Sequence, residues 1–386
     1  MKDIVVLEAA EGIAGPVCGL QFADLGARVI KIEPPEGDRS RGWGPPFLDG
    51  DSAPFIALNR NKESAVIDWS DELAPRRLRA LVAAADVLVE HERPLVKSWR
   101  EILVEEPTAI NERLVHLRIS ANGPEGPLAG QAGSELTAQA MSGYWRLLGR
   151  PQDPPLRHGA ELAEIGTGLF GYQAALAALI SREKSGKGQV VHLSLLGSLM
   201  TYATILTASM NQPDDWVGFH LLNILWPPDT GYRTADGKVT LEFRRGRQVW
   251  VEFCNRVGLD ALPDDPRFKD WRATIYTGDL VGEAKPVYEE ALSALPTLEV
   301  LAAAMEAGGT SVPHATMATI SAHPQVESVG AFTSVPLATT GRVRQVASPF
   351  RVAMPEEAPP HRASPPLGAQ TEAVFAEFGA NPHPSS

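Results

Sequence analysis

Across residues 4–119 short apolar runs alternate with helix-period segments, and this alternation constrains the fold more than any other feature of the chain. Residues 4–7, 29–32, 65–68, 87–89 and 114–119 read as buried strands, and residues 17–25, 71–84 and 96–105 as helices. A strand returns parallel to its predecessor only through a crossover, usually a helix, so the pattern predicts a mostly parallel sheet with helices on its faces. Ligands of such sheets gather beyond the carboxyl ends of the strands. The first crossover opens with Gly12, Gly15 and Pro16 and ends at Gly26, a helix-terminating glycine. It lacks the spacing GxGxxG, which argues against a nicotinamide dehydrogenase.

A second informative stretch covers residues 161–189. Leu169, Tyr172, Leu176, Leu179 and Ile180 share one helical face, while Gly186 and Gly188 stop the run. Residues 190–194 then read as a strand and 195–206 as another apolar helix. From residue 211 prolines and acids announce a smaller domain, with a hairpin over 230–243 turning at Ala235-Asp236-Gly237. Helices are expected near 248–257, 282–294 and 297–307, and strands at 332–335 and 343–346. Proline at 355, 359, 360, 365 and 366 predicts an extended C-terminal arm. The expected division is 1–205 for the N-terminal part of a large domain, 206–325 for linker and small domain, and 326–386 for the return to the large domain and the arm.

Composition excludes several classes. A net charge of −12 and a pI near 5.3 disfavour broad binding to nucleic acid or anionic membranes, though local basic pockets remain compatible with it. Cys18 and Cys254 lie too far apart in sequence for a zinc cluster or a secreted disulfide framework. The N-terminal apolar run is too short for an export signal, and no uninterrupted apolar stretch approaches the ~20 residues that span a bilayer. A cytoplasmic protein is expected. His116, His158, His192 and His314 show no metal-ligand spacing, so no metal, flavin or nicotinamide is expected.

Several phrases occur in a telling order. They include Ala14-Gly15-Pro16, Asp24-Leu25-Gly26-Ala27, Lys31-Ile32-Glu33-Pro34-Pro35 with Gly37-Asp38, and Arg41-Gly42-Trp43-Gly44-Pro45-Pro46. Leu58-Asn59-Arg60-Asn61-Lys62, Ala85-Asp86-Val87-Leu88-Val89-Glu90, Gly186-Lys187-Gly188-Gln189 and Pro366-Leu367-Gly368 continue the series. In this order the chain resembles the class III CoA-transferases, the carnitine and bile-acid CoA-transferase family. The resemblance implies an α/β fold: a Rossmann-like large domain built from the N- and C-terminal parts, plus a smaller α+β domain. It also implies an interlocked homodimer.

The resemblance further implies transfer of CoA from an acyl-CoA thioester to an organic acid. Coenzyme A and its acyl thioester would be substrates, with no prosthetic group. The family's nucleophile is an aspartate before a long apolar helix, and the matching segment here reads Ala163-Glu164-Ile165-Gly166, so Glu164 stands at that position. A carboxylate suits the role because it is ionised at neutral pH and leaves readily from an anhydride. The plainer reading of Glu164 is a first-turn acid interacting with its own helix dipole. Positions matched to CoA contacts are Ile13, Ala14, Arg41, Lys62, Ile67, Asp68, His91, Glu92, Arg93, Arg100 and Glu135. Lys31, Arg39 and Arg60 add to the positive charge expected to meet the phosphates. Two further readings stay open: an acyl-CoA isomerase or racemase, disfavoured because Ser134 stands where racemases of the superfamily carry histidine, and a CoA-binding paralogue without transferase activity. The segment 220–231, with Trp226-Pro227-Pro228 and only Gly231, is expected to form a stiffer cover than the family's glycine-rich flap.

Overall fold

The alternating runs fold into a six-stranded sheet whose neighbours are all parallel. The computed structural model describes residues 1–92, 99–146, 154–204, 231–276, 278–349 and 361–378. The strands are β1 (Val5–Ala9), β2 (Arg28–Glu33), β3 (Glu63–Val66), β4 (Val87–His91), β5 (Val115–Ser120) and β6 (Val190–Ser194), in the order β3-β2-β1-β4-β5-β6. The order reverses between β1 and β4, so the rim beyond Ala9 and His91 is the usual ligand position of a doubly wound sheet. Among the crossovers, α1 (Ala14–Asp24) follows β1 and α2 (Ala74–Ala84) precedes β4. Residues 96–98 of the expected 96–105 helix lie outside the described residues, and residues 99–105 contain one 3₁₀ turn, Trp99–Glu101, in place of a helix, with Trp99 buried. An apolar cluster of short length is satisfied by such a turn without a full helix.

Helix α3 (Glu135–Met141) leads toward α4 (Leu162–Ser185), the long helix, and α5 (Leu195–Tyr202) follows β6. By length and apolar content α4 is the one described helix that could cross a bilayer. Its small residues instead face α1, with Gly168 against Ala14 and Val17 and Gly171 against Cys18, and its Tyr172 meets Phe22 edge-on at 4.8 Å. Gly186 ends it at φ 72°, a left-handed conformation that glycine adopts at little cost.

Residues 325–386 rejoin this first unit, which also holds 1–142 and 157–202. Their hairpin pairs Phe332–Leu337 with Gly341–Val346. In the helix Thr371–Glu377, Val374 and Phe375 enter the core beside Leu7, Ile30 and Leu78. Gln370 and Thr371 accept the amides of Ser64 and Val66, so edge strand β3 is covered rather than left open.

The second unit comprises residues 143–156 and 203–324. Its antiparallel sheet joins Tyr232–Arg233, Lys238–Glu242 and Thr310–Pro313. Helices Arg247–Arg256, Gly278–Leu292 and Thr297–Glu306 pack Trp250, Phe253, Tyr288 and Val300 into its core, where Trp250 Nε1 donates to the Tyr288 hydroxyl at 2.6 Å. The strand Thr310–Pro313 was not visible in the periodicity, because its one large apolar residue, Val312, is exposed.

Charged residues inside the parallel sheet form an ion cluster. Glu8 of β1 and Lys31 of β2 are register partners, and neither side chain is exposed. Lys31 Nζ donates to Glu8 Oε1 at 2.9 Å and to the Ala10 carbonyl at 2.8 Å, and pairs with Asp38 Oδ2 at 2.7 Å. Lys62 Nζ donates to Glu8 Oε2, the Pro16 carbonyl and Asn59 Oδ1 at 2.8, 2.9 and 2.8 Å. Lys62 thereby places all three protons, Lys31 combines two hydrogen bonds with an ion pair, and the two carboxylates Glu8 and Asp38 balance the two cations, the condition under which buried charge is tolerated.

Candidate active site

Glu164 lies in the first turn of α4, yet its carboxylate serves a different helix. Oε2 accepts the amide of Ala14 at 3.0 Å, the first residue of α1. That helix begins at Ile13 with no side-chain cap, and Pro16 brings no amide proton, so the buried Ala14 amide at its start presents partial positive charge to an anion. The amides at the start of α4 are held instead by Glu135, whose Oε1 accepts from Ala163 at 3.1 Å and Oε2 from Glu164 at 2.8 Å. Two buried carboxylates thus occupy two helix N-termini, and capping by Glu135 leaves the Glu164 side chain available to cross to α1.

Gln139, one turn beyond Glu135, locks this arrangement. Its Nε2 donates to Glu135 Oε1 at 2.6 Å and to the Ala160 carbonyl at 3.2 Å, and its Oε1 accepts the His158 amide at 3.0 Å. Thr167 ties α4 to α5 through a 2.8 Å contact with Ser198. Glu161, the other acid near the helix start, pairs with Arg157 at 2.7 Å in more open surroundings.

Glu164 is 6% exposed, and burial raises its carboxyl above the usual glutamate range. The Ala14 amide and the charge of Arg39 oppose the rise, while Glu135 and Glu161 add to it. A carboxylate so placed is little solvated and nucleophilic once ionised. Glu135→Gln should therefore act twice. Losing one capping oxygen is expected to lower unfolding free energy by about 1–2 kcal/mol in denaturant titrations. Losing a like charge should move ionisation of Glu164 to lower pH, read as the acid limb of a rate profile.

The sheet brings several expected positions to one rim. Ile13 and Ala14 follow β1, Ile67 and Asp68 follow β3, and His91 and Glu92 end or follow β4, all at carboxyl ends. Ile67 is wholly buried in the core, whereas Asp68 is exposed and accepts from Ser70. Glu92 pairs with Arg118 at 2.6 Å. Arg100 pairs with Glu106 at 2.7 Å and lies over the Trp99 ring. Arg93 and the expected cover over 220–230 lie outside the described residues; Gly231, which is described, has φ 87°.

Several residues of the expected basic pocket have partners within the fold. Lys62 is fully enclosed with Glu8, and Arg41 is held by Glu33 and Asp51 at 2.8 and 2.9 Å with its guanidinium over Phe55. Lys31 belongs to the ion cluster, and Arg60 to Asp24 and Gln345. These cations hold the fold together, and their proton donors face internal acceptors rather than a phosphate. Sequence reasoning gave Asp38 no site-shaping role, whereas Gln139 was already matched by resemblance to the channel region. The available signal was charge within apolar strands, Glu8 in VVLEA and Lys31 in RVIKIE, which demands buried partners. Among the described residues no three His, Cys, Asp or Glu side chains gather as metal ligands.

Comparison with known proteins adds a family context. A model of CoA-transferase family III matches residues 1–371. The chain is 31% identical over 274 residues to a mouse protein named succinyl-CoA:glutarate CoA-transferase, the match covering 70% of this chain and 62% of the mouse protein. Its human counterpart of the same name is 28% identical over 391 residues, covering 98% of this chain and 85% of the relative. A crystal structure of a CAIB/BAIF family protein from Brucella suis superposes with a TM-score of 0.84 at 29% identity, covering 97% of this chain and 98% of that one.

Proposed function

Since this chain belongs to CoA-transferase family III, we propose that it moves CoA from an acyl-CoA thioester to the carboxylate of an organic acid, with Glu164 as nucleophile. The observation that carries this reading is a buried carboxylate, raised by its burial, held by the Ala14 amide at the sheet's topological switch. Ionised Glu164 attacks the thioester carbonyl, the C–S bond breaks, and a mixed anhydride and CoA thiolate result. The thiolate then attacks the glutamyl carbonyl, expelling the donor acid as carboxylate and leaving a glutamyl-CoA thioester. The acceptor carboxylate reverses the sequence, and Glu164 is regenerated with no net proton change. The amide end of α1 supports the negative charge that develops at Glu164 when its own acyl carbonyl is attacked and when it departs as carboxylate.

The names of the mouse and human relatives support short dicarboxylic acids as the first panel of donors and acceptors. The active assembly in this proposal is a homodimer, which light scattering of the purified protein tests. The decisive experiment for the mechanism is mass spectrometry after incubation with an acyl-CoA. A CoA adduct on the peptide carrying Glu164, discharged by an acceptor acid, is expected; transfer without an adduct and undiminished in Glu164→Gln would overturn the mechanism.

A pH dependence follows from the raised carboxyl. Only ionised Glu164 attacks, so activity should rise with pH through its folded-state value. The acid limb of kcat/KM, measured with a donor lacking a second carboxyl, is expected above the ordinary glutamate value of 4.5.

A further inference from the structure

We propose that Asp38 is a positioning residue for the transfer reaction: through Gly12 it holds the loop that aims the Ala14 amide at Glu164. The proposal rests on Glu164 being the nucleophile and adds a device that controls it.

Asp38 is 1% exposed and lies outside the regular elements, just after β2. Its Oδ1 accepts the Gly12 amide at 3.2 Å, the Ser40 amide at 2.8 Å and the Ser40 hydroxyl at 2.7 Å. Its Oδ2 pairs with Lys31 at 2.7 Å. Lys31 in turn donates to the carbonyl of Ala10, so both ends of the short turn between β1 and α1 are attached to one charged cluster. Glu8 extends that cluster to Lys62, which donates to the Pro16 carbonyl in the first turn of α1. The turn from Ala10 to Pro16 is therefore fastened at the Ala10 carbonyl, the Gly12 amide and the Pro16 carbonyl, and Ala14 lies between the last two.

Gly12 itself sits at φ 82°, a conformation that glycine enters and leaves at little cost, so its place depends on the bonds it makes. A β-carbon there would lie 3.0 Å from Arg39 Nη2 and 3.4 Å from Trp43, so the turn is also crowded from its outer side. Arg39 stacks over Trp43 at 5.2 Å and is the cation whose charge favours ionised Glu164. Asp38 thus precedes Arg39 in the chain and restrains Gly12 across from it. This geometry gives one carboxylate influence over both stabilisers of Glu164, the Ala14 amide and the Arg39 charge. Glu135 and Glu161 are the carboxylates that act in the opposite sense.

The sign of a pH shift separates positioning from the alternatives. Removing a negative charge alone would favour ionised Glu164 and move the acid limb of kcat/KM to lower pH. Loss of the Ala14 hydrogen bond would disfavour the ionised form and move the limb upward. Asp38→Ala is expected to shift the limb upward by about one pH unit and to lower kcat by about 10- to 100-fold, with KM for acyl-CoA changed by less than about threefold. Asp38→Asn, which keeps an acceptor for the Gly12 amide, should restore the limb to the wild-type position or below it. If Asp38→Ala does not fold, Asp38→Ser serves in its place, because it leaves a small polar group in the buried cluster yet is too short to hold the Gly12 amide. An unmoved or lowered limb in the folded Ala or Ser variant overturns the proposal, as does an upward shift in Asp38→Asn. Glu164→Gln is assayed in parallel. Transfer at the wild-type rate in that variant overturns the nucleophile assignment and this proposal together, whereas an inactive Glu164→Gln with an unmoved limb in Asp38→Ala overturns positioning alone.

Discussion

Glu164→Gln is expected to lower kcat for CoA transfer by at least about 10⁴-fold while leaving a folded protein that still binds CoA. The amide matches the shape of the carboxylate but cannot attack a thioester as an anion, and no other acid shares its position. Glu135 is nearest in role, yet both of its oxygens are engaged by the amides of Ala163 and Glu164. Glu164→Asp provides the more informative comparison. It keeps the functional group and withdraws it by one methylene from the Ala14 amide, which it now meets at 3.0 Å. A displacement near an ångström costs about 10²-fold in rate, so this variant should fall between wild type and glutamine. Activity at or above wild type in Glu164→Asp would show that the pocket is built for the shorter acid. Steady-state rates, together with CoA titration by calorimetry, distinguish chemistry from binding.

Gly168→Ala should cause a large structural loss at the site. A β-carbon at this position would lie 2.5 Å from the Ala14 carbonyl oxygen and 2.6 Å from the Val17 side chain. The first is backbone and cannot rotate away, so α1 and α4 must separate. The expected loss is about 3 kcal/mol of unfolding free energy, read from denaturant midpoints. Because the same displacement carries the Ala14 amide from Glu164, kcat should fall by about 10²-fold in the fraction that remains folded. Gly171→Ala, on the same helix, is the control. Its nearest neighbour would be Cys18 Sγ at 3.5 Å, an ordinary contact, and replacing a helical glycine should stabilise by about 0.5–1 kcal/mol. Similar losses in both variants would remove the proposed role of the α1–α4 contact.

Much of the architecture was legible because it depends on local pattern. The apolar runs at residues 4–7, 29–32 and 87–89 correspond to β1, β2 and β4, and the face built on Leu169, Tyr172 and Leu179 corresponds to α4. Expectation failed where the pattern was short or lacked apolar residues, as at residues 99–105 and Thr310–Pro313. Glu164 could be named only through the family resemblance, which matches Ala163-Glu164-Ile165-Gly166 to the segment carrying the family's aspartate. Its plainer role, as an acid at the start of its own helix, is filled by Glu135, which sequence position alone did not assign.

The charged residues divide the two kinds of information most clearly. Their number and order are properties of the sequence, and a run of lysines and arginines such as Lys31, Arg41, Arg60 and Lys62 in the first hundred residues suggested a phosphate pocket. Whether a lysine meets a phosphate or a buried carboxylate depends on neighbours brought together by folding. Lys62 reaches Glu8 across 54 positions, and Ala14 meets Glu164 across 150. By itself the sequence determined the parallel sheet, the long helix and the presence of an acid at its start, since each follows from periodicity within a few turns of chain. The tertiary structure alone decided which helix end that acid faces, which cations are enclosed, and that Asp38 restrains the turn between them. Those outcomes rest on desolvation and hydrogen-bond geometry, which exist only after distant segments have packed.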